Sequence, residues 1–261
     1  MTQLICALQG DSSQKAKKTY NATAGWIDVY KIGIDLFTHS GTQLVNNLIR
    51  KGEKIFLDLK FCDIPTVVAR AVETCARLKV AMFTIHIMGG PEMMKLCVEH
   101  LADFCAKKHI KPRPLVLGVT ILTSISEPEY ASIFPIKEQI KLSAQINHLA
   151  YLAKKSGVDG VVCSVHEVAS IKKECGKNFL TVVPGIRVTL PESEIIAERK
   201  KLKNQDERAR LLHEDQQRFD SPEAAARAGA DYIVVGRPII RAFDPVAVIE
   251  KIRHELKQGS K

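Results

Sequence analysis

Eight short apolar, β-branched runs recur along the chain: "QLICAL", "DVYKIG", "KIFLDLK", "MFTIHI", "PLVLGVTIL", "DGVVCS", "FLTVVPG" and "DYIVVG". Helix-like stretches separate them, among them "TQLVNNLIRKG", "PTVVARAVETCARLK", "GPEMMKLCVEHLADFCAKK" and "EQIKLSAQINHLAYLAKKSG". In these, apolar residues fall at helical spacing, with Pro opening some and Gly closing others. Alternating strands and helices imply parallel pairing, because each helix returns the chain to the end where the next strand begins. Eight such units within 261 residues predict a (β/α)8 TIM barrel, a single domain over residues 1–261. An open doubly wound sheet is the main alternative, but no Gly-x-Gly-x-x-Gly follows the first run.

A hydrophobic content of 46% is enough to fill such a core. The net charge of +9 favours an anionic ligand, but basic residues are mixed with acids and no Lys/Arg stripe interleaves with aromatics, so nucleic acid is not expected. The seven cysteines are odd in number and form neither Cys-x-x-Cys nor a zinc-like spacing with His. Reduced thiols and no metal are expected. "MTQLICALQG" leads directly into a strand pattern without a signal core, and no apolar run reaches membrane length, which predicts a soluble, cytoplasmic protein with no membrane partner.

One segment is irregular. Residues 187–219, "RVTLPESEIIAERKKLKNQDERARLLHEDQQRF", form a long loop after the seventh strand, within which "ESEIIAERKKL" reads as helix with a solvated, mixed-charge face.

The third run raises a chemical question. "IFLDLKFCDIP" begins as a buried strand yet carries Asp58, Lys60 and Asp63, and charges in such a place need partners or a function. Asp58 and Lys60 are two apart and so point to one side of a strand, and Lys31 ends the neighbouring second run. Barrel chemistry sits at the C-terminal strand ends, which would bring two lysines and one or two carboxylates into one pocket. Any one of these alone reads as a surface residue or half of a salt bridge.

"FLDLKFCDIP" resembles the Asp-x-Lys-x-x-Asp-Ile-Pro signature of the orotidine 5'-phosphate decarboxylase family, in its shorter, free-standing bacterial form. "VYKIGIDLF", "LTSISE", "DGVVCSVHE", "VVPGIR" and "ADYIVVGRPI" are similar to that family's second, fifth, sixth, seventh and eighth strand regions, so the resemblance covers nearly the whole chain. It implies cofactor-free conversion of orotidine 5'-phosphate to UMP and CO2 in pyrimidine biosynthesis. It makes Lys60 the proton donor, Asp58 the carboxylate near the departing CO2, and Lys31 the lysine that links the charges and reaches the ribose. Asp63 would be contributed across a homodimer interface, with Ile64, Thr66 and Val67 beside it in the substrate-binding set. Arg187, Gly236 and Arg237 would hold phosphate, Gln216 would reach between phosphate and base, and Thr123 would contact substrate from the fifth-strand loop.

Gln9 departs from the family pattern, which has Ala-x-Asp after the first strand where this chain reads "ALQGDSS". Gln keeps hydrogen bonding to a ribose hydroxyl but loses the charge-assisted part. Asp11 either substitutes for it or caps the helix that begins near Ser12. Three readings remain at this point: the decarboxylase, a magnesium-dependent relative such as a hexulose-phosphate synthase or ketogulonate-phosphate decarboxylase, and a nucleotide-binding protein without activity. The second group has Gly-Gly where this chain has Ile64 and Pro65, and the complete Asp58, Lys60, Asp63 set disfavours the third. Met93 and Met94 read as helix core, and Cys62 and Cys163 as small buried residues.

Overall fold

Each of the eight runs forms a strand in the computed structural model, which describes residues 1–9, 12–134, 141–188 and 220–260. In chain order these are β1 (Gln3–Leu8), β2 (Val29–Gly33), β3 (Ile55–Phe61), β4 (Met82–His86), β5 (Leu115–Val119), β6 (Gly160–Val162), β7 (Leu180–Val183) and β8 (Tyr232–Val235). All pair in parallel and in sequence order, and β8 closes on β1 through the register Gln3 with Tyr232 to Cys6 with Val235. The fold is the (β/α)8 barrel that the spacing predicts.

The helices outside it are α1 (Ser13–Thr23), α2 (Ile34–Arg50), α3 (Pro65–Leu78), α4 (Gly90–Lys107), α5 (Glu127–Ile133), α6 (Leu142–Lys155), α7 (Val165–Cys175), α8 (Pro222–Ala228), α9 (Arg237–Ile240) and α10 (Pro245–Gly259). Six of these, α3, α4, α5, α8, α9 and α10, begin with Pro in the first or second position, where its missing N–H costs nothing. Helix α2 starts earlier than its sequence suggests. Leu36 is fully buried and draws residues 34–40 into helix, and Gly41, with φ 57° and ψ −157°, breaks the helix before the expected stretch continues. Helix α1 is capped by Ser12, whose Oγ accepts from Lys15 N, and Asp11 lies outside the described residues.

Strand parity sorts the side chains into two cores. Ile5, Ala7, Val29, Phe56, Met82, Leu117, Val182 and Val234 fill the barrel lumen as one buried cluster. The opposite parity, such as Leu4, Cys6, Tyr30, Ile32, Leu57, Phe83 and Ile85, packs outward against helix residues including Leu44, Val72, Met93, Met94 and Leu101. The cysteines are all free, and burial pushes Cys6, Cys75 and Cys97 up to about 12, far from a reactive thiolate. Cys163 is buried as expected. Cys62 is not: β3 ends at Phe61 and the chain turns outward, leaving Cys62 exposed.

The end of the barrel away from the chemistry is held by a repeated device. Asp28, Asp159 and Asp231 stand just before even-numbered strands, and each accepts the backbone N–H of a residue on the preceding odd-numbered strand: Leu4, Val116 and Thr181, at 2.8, 2.7 and 2.7 Å. Each also meets a cation, Arg253, Arg113 or Lys172. The Arg113–Asp159 pair is a two-pronged fork at 2.8 Å and 2.8 Å. Asp159→Ala leaves a strand N–H and a half-buried guanidinium unpaired, so a loss of about 2–3 kcal/mol is expected. Thermal melting should fall by several degrees with kcat unchanged, because barrel chemistry sits at the opposite, C-terminal strand ends; an unchanged melting temperature would contradict the clamp.

Candidate active site

The charged residues at the mouth continue the lumen-facing rows. Val29 is followed two residues on by Lys31, Phe56 by Asp58 and then Lys60, Met82 by Thr84 and His86, Ala7 by Gln9, and Val234 by Gly236. Below, these rows are apolar and close-packed; at the C-terminal end they become the floor of an open site.

Asp58 is the centre of the network. Its side chain is 12% exposed, its Oδ2 lies 3.0 Å from Lys31 Nζ, and its Oδ1 accepts from Lys60 Nζ at 2.9 Å. Thr84, fully buried on β4, donates its hydroxyl to the same Oδ1 at 3.0 Å and accepts Lys60 N–H at 2.8 Å. Burial pushes the Asp58 carboxyl up, but the charges and hydrogen bonds of Lys31 and Lys60 more than offset this and hold it below the ordinary aspartate value. Asp58 is therefore ionised at neutral pH, and it pairs with and directs both ammonium groups. Two cations against one anion leave the cluster with a net positive charge.

Lys60 itself is unusual. Its φ is 51°, in the left-handed region, and the β3–β4 register slips between Leu57 and Phe61. Strain of this kind, on the order of 1 kcal/mol or more, persists only where surrounding contacts hold it. His86 ends β4 nearby. Burial and the charge of Lys60 lower its pKa, so the ring is neutral at pH 7, and Nδ1 accepts Met88 N–H at 3.3 Å, which leaves the ring proton on Nε2.

The other side of the mouth is built differently. A β-carbon at Gly236 would lie 3.4 Å from Gln9 Nε2 and 3.4 Å from Ala7 Cβ, so the end of β8 sits directly beside Gln9. Arg237 follows it as the first residue of α9, and Arg187 follows β7, its N–H donated to Asp220 O at 2.9 Å. Since β1 lies between β2 and β8, Gln9 stands between the charge network and this basic side.

The remaining expected residues are not all in one cluster. Thr123 is buried just past β5. Asp63 and Thr66 are exposed and Val67 half-buried where the chain enters α3, and Asp63 Oδ1 accepts only the adjacent Ile64 N–H, with no ion pair among the described residues. Ile64 is 64% exposed. Gln216 and the helix expected over "ESEIIAERKKL" lie outside the described residues. Thr84 was not among the expected residues; a threonine within a strand is ordinary, and only its parity with Met82 and His86 marks it.

Residues 2–252 match the Orotidine 5'-phosphate decarboxylase / HUMPS family. The chain belongs to that family. An orotidine 5'-phosphate decarboxylase of Legionella pneumophila (strain Lens) is 40% identical over 254 residues, covering 97% of this chain and 99% of its own. One from Syntrophus aciditrophicus (strain SB) is 39% identical over 260 residues, 99% of this chain and 94% of its own. Among solved structures, the Lactobacillus acidophilus orotidine 5'-phosphate decarboxylase superposes with a TM-score of 0.76 at 31% identity over 98% of this chain and 99% of its own. This family member is a decarboxylase, and among its described residues no helix is long and apolar enough to cross a membrane.

Proposed function

We propose that the enzyme decarboxylates orotidine 5'-phosphate to UMP without metal or cofactor, serving pyrimidine biosynthesis, and that Lys60 is its proton donor. The observation that carries this reading is the Lys31–Asp58–Lys60 chain at 3.0 and 2.9 Å on adjacent lumen-facing strand ends. Loss of CO2 from C6 of orotate leaves a vinyl carbanion that no neighbouring carbonyl delocalises. A fixed ammonium at that carbon stabilises the charge as it develops, and Nζ then gives its proton to C6. Asp58 orients the Lys60 ammonium, and Lys31 balances Asp58 while reaching toward the ribose.

The phosphate belongs on the opposite side of the mouth, with Arg187, Gly236 and Arg237; Gln216, outside the described residues, is the residue that the family pattern has reaching between phosphate and base. A bidentate guanidinium and a bare backbone suit that dianion. Its binding energy, remote from C6, serves to organise the reacting end. Gln9, between the two sides, takes the ribose hydroxyl that a carboxylate binds in the family pattern. Gln9→Asp should lower KM by roughly fivefold, the worth of one charge-assisted over one neutral hydrogen bond; initial-rate kinetics giving the same KM would count against that role.

Asp63 completes the network in a partner subunit, with Ile64, Thr66 and Val67 lining the same entry. Two features support a homodimer. The charge network lacks one carboxylate for balance, and Asp63 is exposed without an ion pair among the described residues. Ile34, Ile64, Met88 and Leu122, within three residues of the ends of four consecutive strands β2 to β5, are 62, 64, 50 and 36% exposed, an apolar arc suited to a second copy. The test is product analysis: with orotidine 5'-phosphate the enzyme should release UMP and CO2 in equal amounts, and a protein that binds the nucleotide but releases neither would overturn the reading.

A further inference from the structure

Where β3 begins regularly, Lys54 O accepts Tyr30 N–H from β2 and Ile55 O accepts Ala81 N–H just before β4, so the backbone groups of even-numbered residues face β2 and those of odd-numbered ones β4. The register slip between Leu57 and Phe61 turns the Lys60 N–H toward β4 instead. There the Thr84 hydroxyl accepts it, 2.8 Å from Lys60 N, and donates its own hydrogen bond to Asp58 Oδ1 at 3.0 Å. Asp58 Oδ1 in turn receives Lys60 Nζ at 2.9 Å. The result is a closed ring: backbone of Lys60, hydroxyl of Thr84, carboxylate of Asp58, ammonium of Lys60. Thr84 is fully buried, and both of these hydrogen bonds go to β3. A hydroxyl is required on both counts, since a methyl neither accepts the N–H nor donates to the carboxylate.

We propose that Thr84 is a positioning residue for the reaction: its hydroxyl holds Lys60 in the left-handed backbone conformation and fixes the Asp58 oxygen that aims Nζ at the reacting carbon. The proposal rests on the reading of Lys60 as proton donor, and it adds a residue that touches neither substrate nor phosphate. Thr84→Val has the same shape without the hydroxyl. It should lower kcat roughly 10²-fold, the scale of an ångström-size misplacement, and leave KM within about twofold. Thr84→Ser should keep kcat within about threefold of the parent, since the hydroxyl is what acts.

Circular dichroism and melting confirm folding of each variant. If Thr84→Val does not fold, Thr84→Cys substitutes a weak donor and acceptor of similar size and should lose kcat in the same way. Parent-level kcat in Thr84→Val or Thr84→Cys, or a serine variant as slow as the valine one, would overturn the proposal. Lys60→Ala, assayed in parallel, separates the two levels. If it is inactive while Thr84→Val is fully active, only the positioning role fails; if it retains parent activity, the reading of Lys60 fails instead.

Discussion

Lys60→Ala is expected to lower kcat by at least about 10³-fold, because one side chain supplies both the charge that stabilises the carbanion and the proton that ends it. The fold should survive. Lys60 has a 38% exposed side chain at the rim of the barrel, and Asp58 retains its 3.0 Å pair with Lys31. Loss of Lys60 also removes one of the two cations that offset burial at Asp58, so the Asp58 carboxyl should move upward toward its ordinary value. The proposed phosphate and ribose contacts are made by other residues, so binding of UMP, measured by calorimetry, should change far less than kcat. A variant with intact binding and intact turnover would remove Lys60 from the chemistry.

The second large effect concerns Asp63. If it serves the neighbouring subunit, Asp63→Ala alone should lower kcat by on the order of 10²-fold or more, and so should Lys60→Ala, yet their mixture should regain activity. In a mixed dimer one site carries both substitutions and the other carries neither. Random exchange makes half the dimers mixed, so about one quarter of the parent sites should reappear. No recovery after subunit exchange, with mixed dimers verified by mass spectrometry, would place Asp63 in its own subunit's site or outside the chemistry.

Much of this architecture is legible in the sequence, for physical reasons that also explain what is not. The strands are legible because a parallel barrel buries both faces and so demands continuous apolar runs, and the mouth is legible because charges interrupt those runs at their C-terminal ends. Boundaries are less so: "PLVLGVTIL" reads as one long strand, but β5 ends at Val119 and the hydroxyl of Thr120 goes to Val162 O at 3.0 Å. Helix over residues 34–40 is hidden by Gly41, whose positive φ ends one helical segment without ending the element. Lys31, Asp58 and Lys60 converge as their spacing suggests. Thr84 escapes sequence reasoning because its partner is a backbone N–H freed by a register slip, and pattern does not reveal register. Cys62 escapes for a similar reason, lying one residue past the strand that would have buried it.

The central claim is that this barrel removes CO2 from orotidine 5'-phosphate with a lysine and no metal. It is tested most directly by following the absorbance loss of orotidine 5'-phosphate with EDTA-treated enzyme, parent and Lys60→Ala side by side. The treated parent should turn over fully, unchanged on adding magnesium, and the variant almost not at all. Turnover that appears only with added magnesium, or that persists in Lys60→Ala, would contradict it.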